Sequence, residues 1–384
     1  MDAQQVLTSF PDTPGVYLHI PFCQSLCPFC PYNKVLYQPA LVQRYFSALK
    51  IEATRYTARL QRPFTSLYIG GGTPSLCLEP LADVIAALPV TGERAIETLP
   101  THATPERIHQ MQQMGITFIS LGVQSFNADM LRYLKRPTSA EQNRQALENV
   151  CGQFACVDVD LIFDVAFADE TIFLKDLALC FEQGVEQIST YPLMRFGYTP
   201  FGKATHDRQK EHAVLHKAEQ LADQYGYERR SVWTFNRQGA PNYSSITRPF
   251  YLGLGAGSAS YTGRFFLVNH FAVERYIEKL QAGALPLARC FRLPRVVSSA
   301  YAAFWQTYTG RVDAAQLAQH FGVIPGILWR TLFEVLTACQ WVDKSQHGFT
   351  LTPTGRDHYH DLERWVTYRL IEPLWGEMMQ EHLK

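Results

Sequence analysis

Short runs of β-branched and aromatic residues alternate along the chain with longer stretches whose apolar positions recur at helical spacing. The strand-like runs are Val16–Ile20, Ser66–Ile69, Arg94–Thr98, Thr117–Leu121, Val157–Phe163 and Val185–Thr190. Helix-like stretches cover Leu41–Gln61, Leu78–Leu88, Pro105–Met114, Ser139–Val150, Glu170–Gln183 and, later, Asp207–Tyr225. Strand, crossover and strand at intervals of roughly 25–40 residues is the βαβ pattern, whose connections are right-handed. Six such units predict an α/β fold, a parallel sheet closed in part into a (β/α)6 barrel. Local punctuation agrees. Thr104-Pro105-Glu106 combines a hydroxyl cap, a first-turn proline and an acid. Ser139 followed by Gln142 is a capping-box pattern, and Met114-Gly115 reads as a helix stop.

Beyond about residue 235 the pattern loosens. Pro241, Pro249 and Gly253-Leu-Gly-Ala-Gly257 predict a loop-rich closure of the barrel. From Ser298 to Lys384 the chain reads as mostly helical, with a short hairpin around Gly348-Phe-Thr-Leu351. The expected division is therefore a core barrel over 1–235, barrel-closing loops and an extension over 236–297, and a helical, winged-helix-like domain over 298–384.

Composition sharpens this picture. Apolar residues make up 47% and charged residues 18%, enough to build a large core and too little charge for a disordered chain. Lys plus Arg and Asp plus Glu are each 35, so no net charge favours nucleic acid or an anionic membrane. The hairpin is poor in Lys and Arg, which further disfavours a nucleic-acid partner. The apolar run 156–168 is too short to span a bilayer and carries Asp158, Asp160 and Asp164. Residues 1–15 lack a basic start and an apolar stretch, and the expected location is cytoplasmic. Nine scattered cysteines make a poor disulfide framework. Cys77, Cys151, Cys156, Cys180 and Cys339 read as small core hydrophobes.

The first three cysteines are different. Cys23, Cys27 and Cys30 follow C-x3-C-x2-C on a loop after the first strand. Three soft thiolates suit three irons of a cubane and leave the fourth iron open to a small molecule. The competing reading is a zinc knuckle completed by His19 or a distant residue. At the end of the second strand stands Tyr68-Ile-Gly-Gly-Gly-Thr-Pro74. Its glycines allow a backbone edge to approach a ligand, but it is neither a dinucleotide fingerprint nor a phosphate loop.

With these pieces in order, the chain resembles the radical S-adenosylmethionine enzymes. The nearest resemblance is to the branch of oxygen-independent coproporphyrinogen III oxidase, the related haem chaperone and similar methyltransferases. The matching segments are Tyr17-Leu-His-Ile-Pro-Phe-Cys23 to Cys30, Gly70–Pro74, Ser120–Phe126, Val159–Ile162, Tyr251–Gly257 and Leu351–Arg356. The resemblance implies a [4Fe-4S] cluster on Cys23, Cys27 and Cys30, and S-adenosylmethionine, one molecule or two. It assigns Gly71, Gly72 and Thr73 to the methionine amino group, with Glu97 near that cationic end. Gln124 would bond the ligand, Arg136 would clamp its carboxylate and Asp160 would reach the ribose. Tyr17 and Phe29 would frame the cluster and adenine. A flavodoxin or ferredoxin is the implied electron donor.

This chain departs from the branch in places. Asp160-Leu-Ile-Phe-Asp-Val-Ala-Phe-Ala-Asp169 lacks the glycine and proline usual after the fifth strand, Arg136 is followed by Pro-Thr-Ser rather than by a histidine, and Pro31-Tyr-Asn-Lys34 is atypical. The leading expectation is therefore methyl or methylene transfer to an unsaturated carbon of a small molecule, using a second S-adenosylmethionine. Haem chaperoning or coproporphyrinogen oxidation is the alternative. Tyr191 joins the cysteines as a candidate catalytic residue, and Tyr261 with Arg264 would orient an aromatic or anionic substrate.

Overall fold

The computed structural model describes residues 1–165, 169–202, 207–241, 248–346 and 348–380. Six strands, β1 (Gly15–Ile20), β2 (Leu67–Gly71), β3 (Arg94–Thr98), β4 (Phe118–Gln124), β5 (Cys156–Phe163) and β6 (Gln187–Pro192), lie side by side in chain order. Every neighbouring pair among them is parallel. Helices α1 (Pro39–Thr57), α2 (Leu78–Ala86), α3 (Pro105–Gln113), α4 (Ala140–Val150) and α5 (Glu170–Glu182) supply the crossovers. β1 and β5 are buried almost along their whole length, as expected of parallel strands covered on both faces. Leu18, Ile69, Ile96, Ile119, Val159 and Ile188 form the continuous core between sheet and helices.

Local chemistry sets the helix starts. The Ser139 hydroxyl accepts from Gln142 N at 3.1 Å while the Gln142 side chain accepts from Ser139 N at 2.9 Å. Thr104 caps α3 by accepting from Arg107 N, with Pro105 in the first turn. Each bond satisfies a donor the helix itself leaves free.

The sheet continues past both ends of the parallel set. β7 (Tyr227–Arg229) and β8 (Thr234–Arg237) follow the crossover helix α6 (Arg208–Gln224), and β8 runs antiparallel to β6. On the other side β9 (Tyr251–Leu254) is parallel to β1, and β10 (Ala259–Tyr261), β11 (Phe265–Asn269) and β12 (Leu287–Arg292) follow antiparallel. The result is one mixed, twelve-stranded sheet. The region 236–297 thus contributes four strands where its prolines and glycines suggested loops. Strands this short show no clear period, and Gly253 lies within a strand while Gly255, Gly257 and Gly263 fall at the turns that follow.

Residues from 295 onward form helices Arg295–Tyr308, Ala314–Phe321 and Val323–Ala338, then the hairpin Val342–Ser345 and Gly348–Leu351, joined by Arg311–Val312. Helix Pro353–Val366 and the segment to Met379 close the described chain. This part does not fold around a core of its own, since Tyr308, Leu317, Phe333 and Tyr359 belong to the same buried cluster as the barrel. Of the cysteines read as core, Cys77, Cys156 and Cys180 are buried and Cys151 is half-buried. Cys339 is exposed, because it caps the C-terminus of Val323–Ala338 on its outer side. Among the described residues, no helix is long and apolar enough to cross a membrane.

Candidate functional site

The C-terminal ends of the parallel strands open into a chamber of about 1480 Å³. Tyr17, Cys23, Cys27, Phe29, Cys30, Gly71, Gly72, Thr73, Glu97, Gln124, Arg136, Asp160 and Tyr191 all line it. The fold therefore brings the candidate cluster, cofactor and catalytic residues to one surface, from positions far apart in the chain.

Cys23 ends the short strand Phe22–Cys23, which pairs with Val35–Leu36, and Cys27 and Cys30 lie on the loop between. Cys30 N donates to Cys27 O at 3.3 Å, tightening that loop. The Thr73 hydroxyl approaches Cys23 Sγ at 3.7 Å, and Arg136 Nη1 approaches Cys27 Sγ at 3.4 Å. Burial pushes the Cys23 thiol up to about 11 and raises that of Cys30. Among the described residues, no three His, Cys, Asp or Glu side chains converge closely enough to hold a single ion. His19 is engaged elsewhere: Tyr17 Oη is 2.9 Å from its Nδ1, and Asn33 O is 2.8 Å from its Nε2. Both ring nitrogens are committed within the protein, which weakens the zinc-knuckle reading.

The triple glycine answers to packing as much as to any ligand. Gly71 has φ +121°, a conformation that L side chains rarely adopt. A Cβ at Gly72 would stand 2.8 Å from Phe22 O and 2.9 Å from Cys23 Sγ, so any side chain here would displace the cysteine loop. Beyond it, the Glu97 carboxylate accepts from Tyr68 Oη at 2.9 Å and Gly71 N at 3.1 Å. Burial, then the nearby Asp160 charge, pushes Glu97 up to about 7. Glu97 thus stands in the chamber wall.

Asp160 accepts from the Ser120 hydroxyl at 2.9 Å. Burial raises its carboxyl to about 6 against the lowering influence of Ser120 and Arg136. Arg136 turns inward, with Nη2 donating to Gly122 O. Its Nε is buried and finds no partner among the described residues, so one guanidinium edge is still available to a planar anion. Gln124 sits where the β4–β5 register shifts, at φ +70°. A left-handed non-glycine residue at a bulge is a strained arrangement that re-aims a side chain, here into the chamber. Tyr191 packs edge-on against Trp233, with ring centroids 5.8 Å apart.

Two expectations are corrected. Tyr261 is core: its hydroxyl bonds Ser298 O at 2.8 Å, and its ring lies 4.5 Å from that of Tyr301. Arg264 lies over the Phe265 ring and does not line the chamber. Both residues are carried by the β10–β11 hairpin away from the strand ends. The unusual segment after the fifth strand lies partly outside the described residues, at 166–168.

Sequence reasoning missed a second polar layer. Asp158, Gln187, Ser189 and Asn236 are all buried and also line the chamber. Asp158 and Asp160 are two apart on one strand, so their side chains share a face, and that spacing was the available signal. Also missed was the support behind Trp233, whose Nε1 donates to His360 Nδ1 at 2.9 Å. His360 Nε2 in turn meets Glu211 at 2.9 Å.

The model of the Radical SAM superfamily matches residues 17–164. The Heme chaperone HemW of Bacillus subtilis is 27% identical over 301 residues, covering 71% of this chain and 77% of that protein. The oxygen-independent coproporphyrinogen III oxidase of Synechocystis is 26% identical, covering 75% of this chain and 69% of its own. The solved structure of coproporphyrinogen III oxidase (HemN) from Escherichia coli superposes with a TM-score of 0.78 at 20% identity, covering 94% of this chain and 91% of that one. That last likeness is one of fold.

Proposed function

On the premise that the chain belongs to the radical S-adenosylmethionine superfamily, in the branch of the haem chaperone and oxygen-independent coproporphyrinogen III oxidase, we propose that its chamber takes a tetrapyrrole beside S-adenosylmethionine. The relatives named for haem or coproporphyrinogen cover between 64% and 75% of this chain. Methyl or methylene transfer with a second S-adenosylmethionine has no such support and gives way to this reading.

The residues fit the cofactor pair. Cys23, Cys27 and Cys30 would hold the [4Fe-4S] cluster. Bound together, the cluster and S-adenosylmethionine supply one-electron cleavage of the sulfonium to a 5′-deoxyadenosyl radical. The protein's part is to orient and to exclude water. Glu97, aimed into the wall by Gly71 N and Tyr68, would face the methionine ammonium, whose charge favours the ionised carboxylate. The free edge of Arg136 would take the methionine carboxylate. Asp160, held by Ser120, would accept from the ribose hydroxyls. Gln124 would complete the polar contacts, and Tyr17, Phe29 and Tyr191 would shield them. A flavodoxin or ferredoxin would supply the electron.

The observation that carries the substrate class is the chamber's aromatic lining. Tyr301, Trp305, Tyr308 and Trp375, all from the C-terminal region, line the chamber, with Trp375 reaching back to Tyr32 beside the cysteine loop, ring centroids 5.8 Å apart. Such rings suit a large, flat, apolar body, and the chamber exceeds the roughly 300–1,000 Å³ of ordinary small-ligand pockets. In this reading 1–235 carries the cofactors, 236–297 extends the barrel and the winged-helix-like 298–384 supplies the substrate wall. Anaerobic titration of cluster-loaded protein with haem and with coproporphyrinogen III, followed by absorbance or calorimetry, tests the proposal. Saturable binding of either, weakened by Trp305→Ala, is expected. Cleavage of S-adenosylmethionine with no binding of either tetrapyrrole would overturn it.

A further inference from the structure

The missed polar layer has a direction. Asp158 and Gln187 are register neighbours across β5 and β6, and Gln187 and Asn236 are register neighbours across β6 and β8. Asn236 Nδ2 donates to Gln187 Oε1 at 2.8 Å, and Gln187 Nε2 donates to Ser189 Oγ at 3.4 Å. The Ser189 hydroxyl then donates to Asp158, whose two carboxyl oxygens are each 2.9 Å away. Every one of these bonds points toward Asp158. What the row leaves for the chamber is acceptor capacity. Asn236 Oδ1 is buried, on a residue only 1% exposed, and has no partner among the described residues. Asp158 is 2% exposed and forms no ion pair among the described residues. Buried acceptors in such a setting call for a donor.

We infer that this row is a subsite for the pyrrole N–H groups of a reduced, metal-free tetrapyrrole, with Asp158 and Asn236 as the accepting residues. The inference rests on the tetrapyrrole reading and deepens it. A porphyrinogen carries four N–H donors, whereas the nitrogens of haem bind iron and have none to offer. The subsite therefore selects between the two ligand classes that the related proteins' names leave open. Despite the bonds from Ser189 and Gln187, burial and then the Asp160 charge hold the Asp158 carboxyl well above the usual carboxylate range. Hydrogen bonds from a ligand would favour its charged form.

The test compares coproporphyrinogen III with iron coproporphyrin III, which has the same peripheral side chains, on cluster-loaded protein under anaerobic conditions. The wild type is expected to bind the porphyrinogen at least about tenfold more tightly, the scale of hydrogen bonds to a charged group. Asp158→Asn and Asn236→Leu should each weaken the porphyrinogen about tenfold and the iron complex less than about threefold. Thermal melting checks that both variants fold, and the wild-type comparison stands if they do not. Equal wild-type affinities, tighter binding of the iron complex, or equal losses for both ligands would overturn the subsite while leaving the tetrapyrrole reading in place. If neither ligand binds, the tetrapyrrole reading falls and the subsite falls with it.

Discussion

Two buried glutamates show how the same physical environment serves different ends. Glu52, on α1, and Glu97, at the end of β3, are both pushed up to about 7, chiefly by burial. Glu52 accepts from Asn269 Nδ2 and Gly255 N at 2.9 Å each, and from Tyr276 Oη at 2.5 Å. It is a knot, pinning the Gly255–Gly257 loop beneath β1, where Tyr45 Oη also bonds His19 O at 2.6 Å. Among the described residues, Glu97 has only Tyr68 and Gly71 as donors; it feels the repulsion of Asp160 and faces the chamber. Burial alone does not mark a functional carboxylate. The number of protein donors it already holds, and whether open space adjoins it, separate the two.

The comparison can be broken most severely at the cysteine loop. Replacing Cys23, Cys27 or Cys30 by Ala is expected to abolish retention of iron and sulfide after anaerobic reconstitution. Cys77→Ala and Glu52→Gln should keep it. Iron and sulfide analysis decides, and retention by any of the three loop variants would remove that cysteine from the ligand set.

At the knot, Glu52→Leu strands the Gly255 and Tyr276 donors in a dry site and leaves Asn269 with only Gly255 O and Ser258 Oγ among the described residues. At about 1–3 kcal/mol for each unsatisfied buried group, the expected loss of stability is about 3–5 kcal/mol after partial relaxation. Denaturant unfolding measures it. A loss within experimental error would show that the knot is dispensable.

The rim should behave oppositely, losing ligand affinity while keeping the fold. Arg136→Lys cannot reproduce a planar fork, and a cost of about 2 kcal/mol corresponds to roughly thirtyfold weaker S-adenosylmethionine binding. Iron content and unfolding midpoint should stay close to wild type. Calorimetry that finds unchanged affinity would return Arg136 to a structural role.

The smallest effect is a pH slope. The folded value of Glu52, about 7, lies above its ordinary 4.5. Its contribution to stability is therefore fully present below about 4.5 and is lost as pH rises through 7. The stability difference, wild type minus Glu52→Gln, should fall between pH 5 and pH 8. A difference that rises instead would mean that the carboxylate is ionised in the folded protein, contrary to the environment described.

Much of the parallel half was legible because its signals are local. Thr104 and Ser139 cap helices through neighbouring residues, and the six strands appear within a few residues of their expected limits. C-x3-C-x2-C needs only loop spacing to be read. Region 236–297 was less legible, since strands of three to six residues leave no period to detect. Tyr261 and Arg264 were misplaced for a related reason: nothing in Tyr261-Thr-Gly-Arg264 reveals which side of the sheet its hairpin faces.

By itself, the sequence determined the βαβ order, the cysteine spacing and the family pattern, because each depends on contacts or motifs within a few dozen residues. Only tertiary structure decided that Asn33 bonds Ala256 O and Phe271 O, joining the cysteine loop to the glycine loop. It alone brought the C-terminal aromatic residues to the chamber that Cys23 lines, and lined up Asp158, Gln187 and Asn236 on three separate strands. The physical reason is that a buried polar group must find its partner in space. Which distant residue meets it is set by sheet register and crossover packing, and spacing along the chain does not encode that.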